Sequence, residues 1–427
     1  MIFSEVGYFI GLAVAALVFR ALPMRAKPWW LFATGAVFYW YFSPAFVGIL
    51  ALEVALVYVF AGVAARSLVP RGRGWGLAAG LVVTLGLLAV YKYGPLIVQT
   101  VLALPGGPTE LPLLTGAPAS PTAGGLPGVE DVRVPLAISF FTFEFVHYLV
   151  DSRRGTIPRH GVGDFLGFAF FAPTLVAGPI KRFQGFSAQV REARANADDV
   201  GVGVTRILIG LAKKVVIADT LTLWIALLAT NDAVDFATRG EIAVALVAYS
   251  LRIYFDFSGY SDIAIGSARL FGITVPENFA RPYFARNIAQ FWRRWHMSLM
   301  SWIRDYVYIP LGGSRCSLPR QLFNIIAAFA VSGIWHGAEW HFLAWGLYHG
   351  VLVAGYRLWT RAVRPRLAGP RDPESESARA TSRFRELTGR AFGTAVTFAL
   401  VTLGWGLFAM PVDRFWLMLQ RLTVGGM

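Results

Sequence analysis

Apolar positions in this chain gather into long blocks separated by short polar ones, and the blocks predict helices that cross a membrane. Val6 to Phe19 forms a first span, followed by Arg20, Arg25 and Lys27. Trp29 to Phe42 is a second and turns at Ser43-Pro44, and Ala45 to Ala64 is a third, ending in Arg66, Arg71 and Arg73. A fourth, from Trp75 to Val101, leads into a Pro/Gly-rich outer loop, residues 102–131, with no lysine or arginine. Val134 to Val150 is a fifth, followed by Arg153, Arg154 and Arg159. Phe165 to Ile180 is apolar but short and broken by Pro173 and Pro179, the mark of a re-entrant or interfacial segment. Further spans follow over Val204 to Thr230, Ile242 to Phe255, Leu322 to Trp335, Trp340 to Leu358 and Phe392 to Met410. A polar cytoplasmic linker, 361–385, precedes the last of these, and a short helix near Arg414 to Leu422 follows it. The expectation is an all-α polytopic bundle, one membrane domain over 1–427 with about ten spans.

Basic clusters follow spans one, three and five, which places them in the cytoplasm and the N-terminus outside. The N-terminus has no basic region before its apolar run, so it reads as a retained span.

Within segment 281–315 the pattern changes. From Asn287 to Arg315, at about 100° per residue, Ile288, Phe291, Trp292, Trp295, Leu299, Trp302, Ile303 and Tyr306 share one stripe. Arg293 and Arg304 lie opposite, and His296 falls near the stripe's edge. The pattern predicts an amphipathic helix lying in the membrane plane, its tryptophans at the interface and its arginines toward phosphates or headgroups. On a plain surface helix His296 would be solvated.

Composition agrees with a membrane protein: 56% of residues are hydrophobic and 15% charged, with a mean hydropathy of +0.54. The formal charge of +14 is distributed at the ends of apolar runs, which argues for membrane orientation and against nucleic acid. A single cysteine, Cys316, excludes an internal disulfide framework.

Of the six histidines, His160 lies in a basic loop and reads as solvated. His336, in SGIWHGAEW, ends an apolar span, where an ionisable group is a candidate for function. Gly333 and Gly337 leave room beside it for a ligand or for another backbone. A histidine hydrogen-bonded within the bundle has the same signature. His336, Glu339 and His341 do not have the spacing of a zinc helix, and no metal site is expected. Glu144 and His147 form one Glu-x-x-His, suited to local pairing or, in a transporter or assembly scaffold, to a proton relay. Neither a G-x-S-x-G elbow nor a Walker A loop occurs.

The stretches VPLAISFFTFEFVHYLVDSRRG, AGPIKRF, GLAKKVVIAD, YFDFSGYSDIAIGSARLFGITVPENFARPYFARNIAQFWRRWHMSLMSWIRDYVYIPLGGSR and SGIWHGAEWHFLAWGLYHG resemble the membrane-bound O-acyltransferase family. Within it they are similar to the branch of alginate O-acetyltransferase membrane subunits, whose members often continue past a GWGLFAMP-like stretch. The resemblance implies that His336, in the WHG motif, is the catalytic histidine and that His296, in WRRWH, is the second signature position. It implies a ring of spans around a thinned centre, and acyl transfer, acetyl above D-alanyl, from a cytoplasmic thioester to a hydroxyl acceptor. The acceptor would be an exported polysaccharide, a cell-wall polymer such as peptidoglycan or teichoic acid, or a periplasmic relay protein. No bound cofactor is expected; coenzyme A or a carrier-protein phosphopantetheine carries the acyl group as substrate. Arg293, Arg294 and Arg304, with Trp292 and Trp295, are the expected donor-binding set, and Asp256, Asp262 and Asp305 would pair with the arginines or orient His296. The bacterial inner membrane is the expected location.

Overall fold

A backbone that leaves water must pair its N–H and C=O groups within the chain, and helices do this locally. The computed structural model describes residues 5–66, 70–94, 134–363 and 376–423, and among them no strand occurs. The outer loop, 102–131, and residues 364–375 of the polar linker lie outside the described residues.

Among the described residues, four helical stretches are long and apolar enough to cross a membrane: Pro44–Arg66, Gly74–Tyr93, Arg239–Leu270 and Leu387–Ala409. The other expected spans are shorter or more polar. Val6–Ala21 and Lys27–Phe42 have 16 residues each, which at about 1.5 Å per residue falls short of a hydrocarbon core of about 30 Å.

Several elements depart from the sequence expectation. The expected span Val204 to Thr230 is helix Ala197–Leu211, a π-helical stretch Ala212–Ala218 and short turns. Lys214 lies in that stretch and reaches Asp219 at 2.5 Å and Asp256 at 2.9 Å. Ile242 to Phe255 is part of one 32-residue helix, Arg239–Leu270, which also carries Asp256 and Asp262. The final span belongs to the 34-residue helix Glu376–Ala409, so the helix begins inside the expected linker.

The chain divides into two compact units, residues 1–210 with 260–276, and residues 211–259 with 277–427. In the first, helix Ile138–Arg154 packs Phe145 and Tyr148 against Phe165, Tyr148 also against Phe183, and Phe141 against Phe170. The re-entrant candidate is two short helices, Val162–Ala169 and Ala172–Leu175, with Phe165, Phe168 and Phe171 fully enclosed. Protein thus covers a backbone too short to span.

The second unit is built on an aromatic core of Phe291, Trp292, Trp295, Phe329, Trp345 and Trp405. Helices Leu318–His336 and Trp340–Leu358 form a tight hairpin beside it. A Cβ on Gly333 would stand 2.3 Å from the Phe342 carbonyl oxygen, and one on Gly346 would stand 3.0 Å from the Gly333 Cα. The pair lets two backbones touch, the association that small residues permit where lipid gives no hydrophobic drive. The space beside Gly333 is therefore filled by protein and not by substrate. Gly337 is the same case, since its Cβ would meet the Phe342 ring at 2.0 Å.

Candidate active site

The central amphipathic stretch is not one helix. It consists of Ile288–Trp292 and Met297–Ile303, followed by a π-helical turn Arg304–Tyr308. The break is at His296, whose φ of +45° is left-handed. A non-glycine residue there carries strain and persists where its surroundings hold it. Of the expected stripe, Ile288, Phe291, Trp292, Trp295, Leu299, Trp302 and Ile303 are buried, while Tyr306 is half-buried.

His296 is not solvated but 2% exposed. Its ring meets Phe257 at 4.7 Å and Trp335 at 6.2 Å between centroids. Burial pushes the imidazole well below its ordinary pKa, so the ring is neutral. Its Nδ1 lies 3.3 Å from Oδ1 of Asn278, and its Nε2 has no hydrogen-bond partner among the described residues.

His336 closes helix Leu318–His336 just before Gly337. Its ring is half-buried and packs against Trp335 at 4.6 Å, Trp345 at 5.1 Å and Phe408 at 5.0 Å. Trp335 thus touches both signature histidines. His349, one turn along from Trp345, is 0% exposed and packs against Trp292, Trp345 and Trp405. His341 lies 3.2 Å from Glu339. Among the described residues no cluster of three or more histidine, cysteine or carboxylate side chains could hold a metal ion.

The remaining expected residues separate. Arg293 and Arg304 are exposed, and Arg304 donates to the neighbouring Asp305 at 2.7 Å. Arg294 is half-buried, its carbonyl accepting from the Ala280 N–H. Trp292 and Trp295 are corrected from donor contacts to core: at 4% exposure they form walls of the aromatic cluster. Asp256 pairs with Lys214 at 2.9 Å and, in the first unit, Asp262 pairs with Arg206 at 2.7 Å. Each carboxylate thus balances a cation within its own unit.

In the first unit Glu144 is ion-paired with the buried Lys181. His147 is saturated: Nδ1 lies 3.2 Å from Asp151 and Nε2 accepts from the Phe183 N–H at 2.9 Å. A ring held at both nitrogens is a strut between helix Ile138–Arg154 and the start of helix Phe183–Glu192, which argues against a proton relay. Asn278 and His349 stand at no diagnostic spacing in the sequence, and Lys181 lies beside Arg182 with no local sign of a buried partner.

Residues 125–371 match the membrane-bound O-acyltransferase family, and the chain belongs to it. It is 33% identical over 428 residues to the probable alginate O-acetylase of Azotobacter vinelandii, covering 98% of this chain and 77% of the relative. Identity to the probable alginate O-acetylase of Pseudomonas aeruginosa is 36% over 293 residues, 68% of this chain and 52% of that protein. The peptidoglycan O-acetyltransferase of Helicobacter pylori is 32% identical over 310 residues, 64% of this chain and 54% of its own length. The chain thus spans about half the length of the last two relatives.

Proposed function

We propose that this chain is an inner-membrane O-acyltransferase that moves an acyl group, acetyl first among the choices, from a cytoplasmic thioester to a hydroxyl. The acceptor belongs to an exported polysaccharide, a cell-wall polymer or a periplasmic relay protein. The supporting observation is the setting of His336: half-buried at a helix end, while His296, His341 and His349 are enclosed. Of these four histidines it is the most exposed.

A hydroxyl is a weak nucleophile at neutral pH, and a base that takes its proton during attack is worth typically about 10²–10⁴-fold. In this reading the His336 imidazole receives the proton as the hydroxyl oxygen bonds to the thioester carbonyl. Collapse of the tetrahedral intermediate breaks the carbon–sulfur bond, and the imidazolium returns the proton to the departing thiolate. Ester and free thiol result. Arg293 and Arg304, exposed on the segment that carries His296, suit the phosphates of coenzyme A or of phosphopantetheine.

The test is thioester-dependent acylation by purified protein in lipid vesicles. His336→Gln keeps hydrogen bonding but cannot act as a base, and should lower turnover at least about 10²-fold with insertion and thermal stability unchanged. Near-normal turnover in a well-folded His336→Gln protein would remove this residue as general base.

A further inference from the structure

Asn278 is buried in the extended stretch after helix Arg239–Leu270, within the motif PENF. Its side-chain oxygen accepts from the Ser298 hydroxyl at 2.6 Å and lies 3.3 Å from both the Ser298 N–H and His296 Nδ1. A backbone N–H can only donate, so the atom at the centre of this group is the amide oxygen, an acceptor. An oxygen that accepts leaves Nδ1 one role: it must carry the hydrogen. The other nitrogen, Nε2, then keeps its lone pair, and it is buried without a partner among the described residues. The Asn278 backbone adds a second tie, its carbonyl accepting from the Met297 N–H at 2.9 Å. Both ties bracket His296 at its left-handed φ.

We infer that Asn278 is a positioning residue for acyl transfer, fixing the tautomer and ring angle of His296 so that Nε2 stays a hydrogen-bond acceptor in the histidine cluster. Three features carry this: the acceptor at Nδ1, the bracketed left-handed turn and the unsatisfied Nε2. Leaving a buried acceptor without a partner is costly, and a fold keeps such an atom where it is used. Among the described residues, the ring packs against Phe257 from helix Arg239–Leu270 and Trp335 from helix Leu318–His336, and its Nδ1 meets the Asn278 amide oxygen. That amide is uncharged, so tautomer, and not ionisation, is what Asn278 controls.

The kinetic arm of the test rests on the acyl-transfer reading; the spectroscopic arm does not. Solid-state nitrogen NMR of histidine-labelled protein, assigned by loss of the signal in His296→Gln, should show His296 as a single tautomer with hydrogen on Nδ1. Asn278→Ala should give a mixture of tautomers and a kcat lower by about tenfold, with donor KM unchanged. Asn278→Asp puts a carboxylate at Nδ1 and favours the imidazolium, so its kcat should fall as pH drops through a new, higher pKa. That variant is isosteric, and it decides the matter if Asn278→Ala does not insert. Hydrogen on Nε2 in the unaltered protein, one unchanged tautomer in Asn278→Ala, or an Asn278→Asp pH profile superimposed on that of the parent would each overturn the assignment. Turnover retained in His336→Gln beside an altered tautomer in Asn278→Ala would fault the base and leave Asn278 in place.

Discussion

At the scale of residues, the two buried polar groupings in this protein are built differently. His296 is held at one nitrogen, whereas His147 is held at both. The Glu144–Lys181 pair is enclosed, with the Lys181 ammonium also 4.5 Å over the Phe168 ring. Removing one partner of such a pair strands a charge and typically costs about 3–5 kcal/mol, while removing both in matched shapes costs far less. Glu144→Gln and Lys181→Met should therefore each lower the thermal unfolding midpoint strongly, and the double variant should recover most of the loss. Additive losses in the double variant would mean that the two side chains act independently. Because this pair lies in the first unit, the recovered double variant should also recover acyl transfer.

At the scale of elements, the hairpin of Leu318–His336 and Trp340–Leu358 sets where His336 stands. Its spacing is fixed by Gly333 against Gly346 and Phe342. Overpacking a tight contact costs typically about 1–3 kcal/mol, and here the obstructing atom is a backbone oxygen that cannot rotate away. Gly333→Val should lower the unfolding midpoint and cut kcat together, since His336 follows three residues later on the same helix. A Gly333→Val protein with unchanged midpoint and kcat would show that the hairpin adjusts without moving the site. Gly389, with open space where its Cβ would sit, is the control, and Gly389→Ala should change neither.

At the scale of the whole molecule, the charge pattern makes a prediction about sidedness. The arginine clusters after the first, third and fifth apolar blocks place the N-terminus outside and the segment around Ser377 inside. In a Cys316→Ser background, cysteines introduced at Thr115 and Ser377 should label from opposite faces of the membrane, Thr115 from outside. Labelling of both from the periplasm would reverse the orientation.

The sequence by itself determined that the chain is helical, that it belongs in a membrane and which stripe of the central segment is buried. Those properties follow from local periodicity and from the cost of exposing polar groups to lipid, and each is carried by residues close together in the chain. It also marked His336 and His296, because their motifs are short and continuous. Only the tertiary structure decided the rest. Trp292 and Trp295 look like interface residues at 100° spacing, yet the cluster with Trp345 and Trp405 makes them core. The central helix breaks at His296, whose Nδ1 lies 3.3 Å from the side chain of Asn278, 18 residues earlier. The gap beside Gly333 is filled by Phe342 and Gly346 from the next helix. Each of these outcomes depends on partners distant in sequence, and no local pattern encodes which partner a side chain will meet.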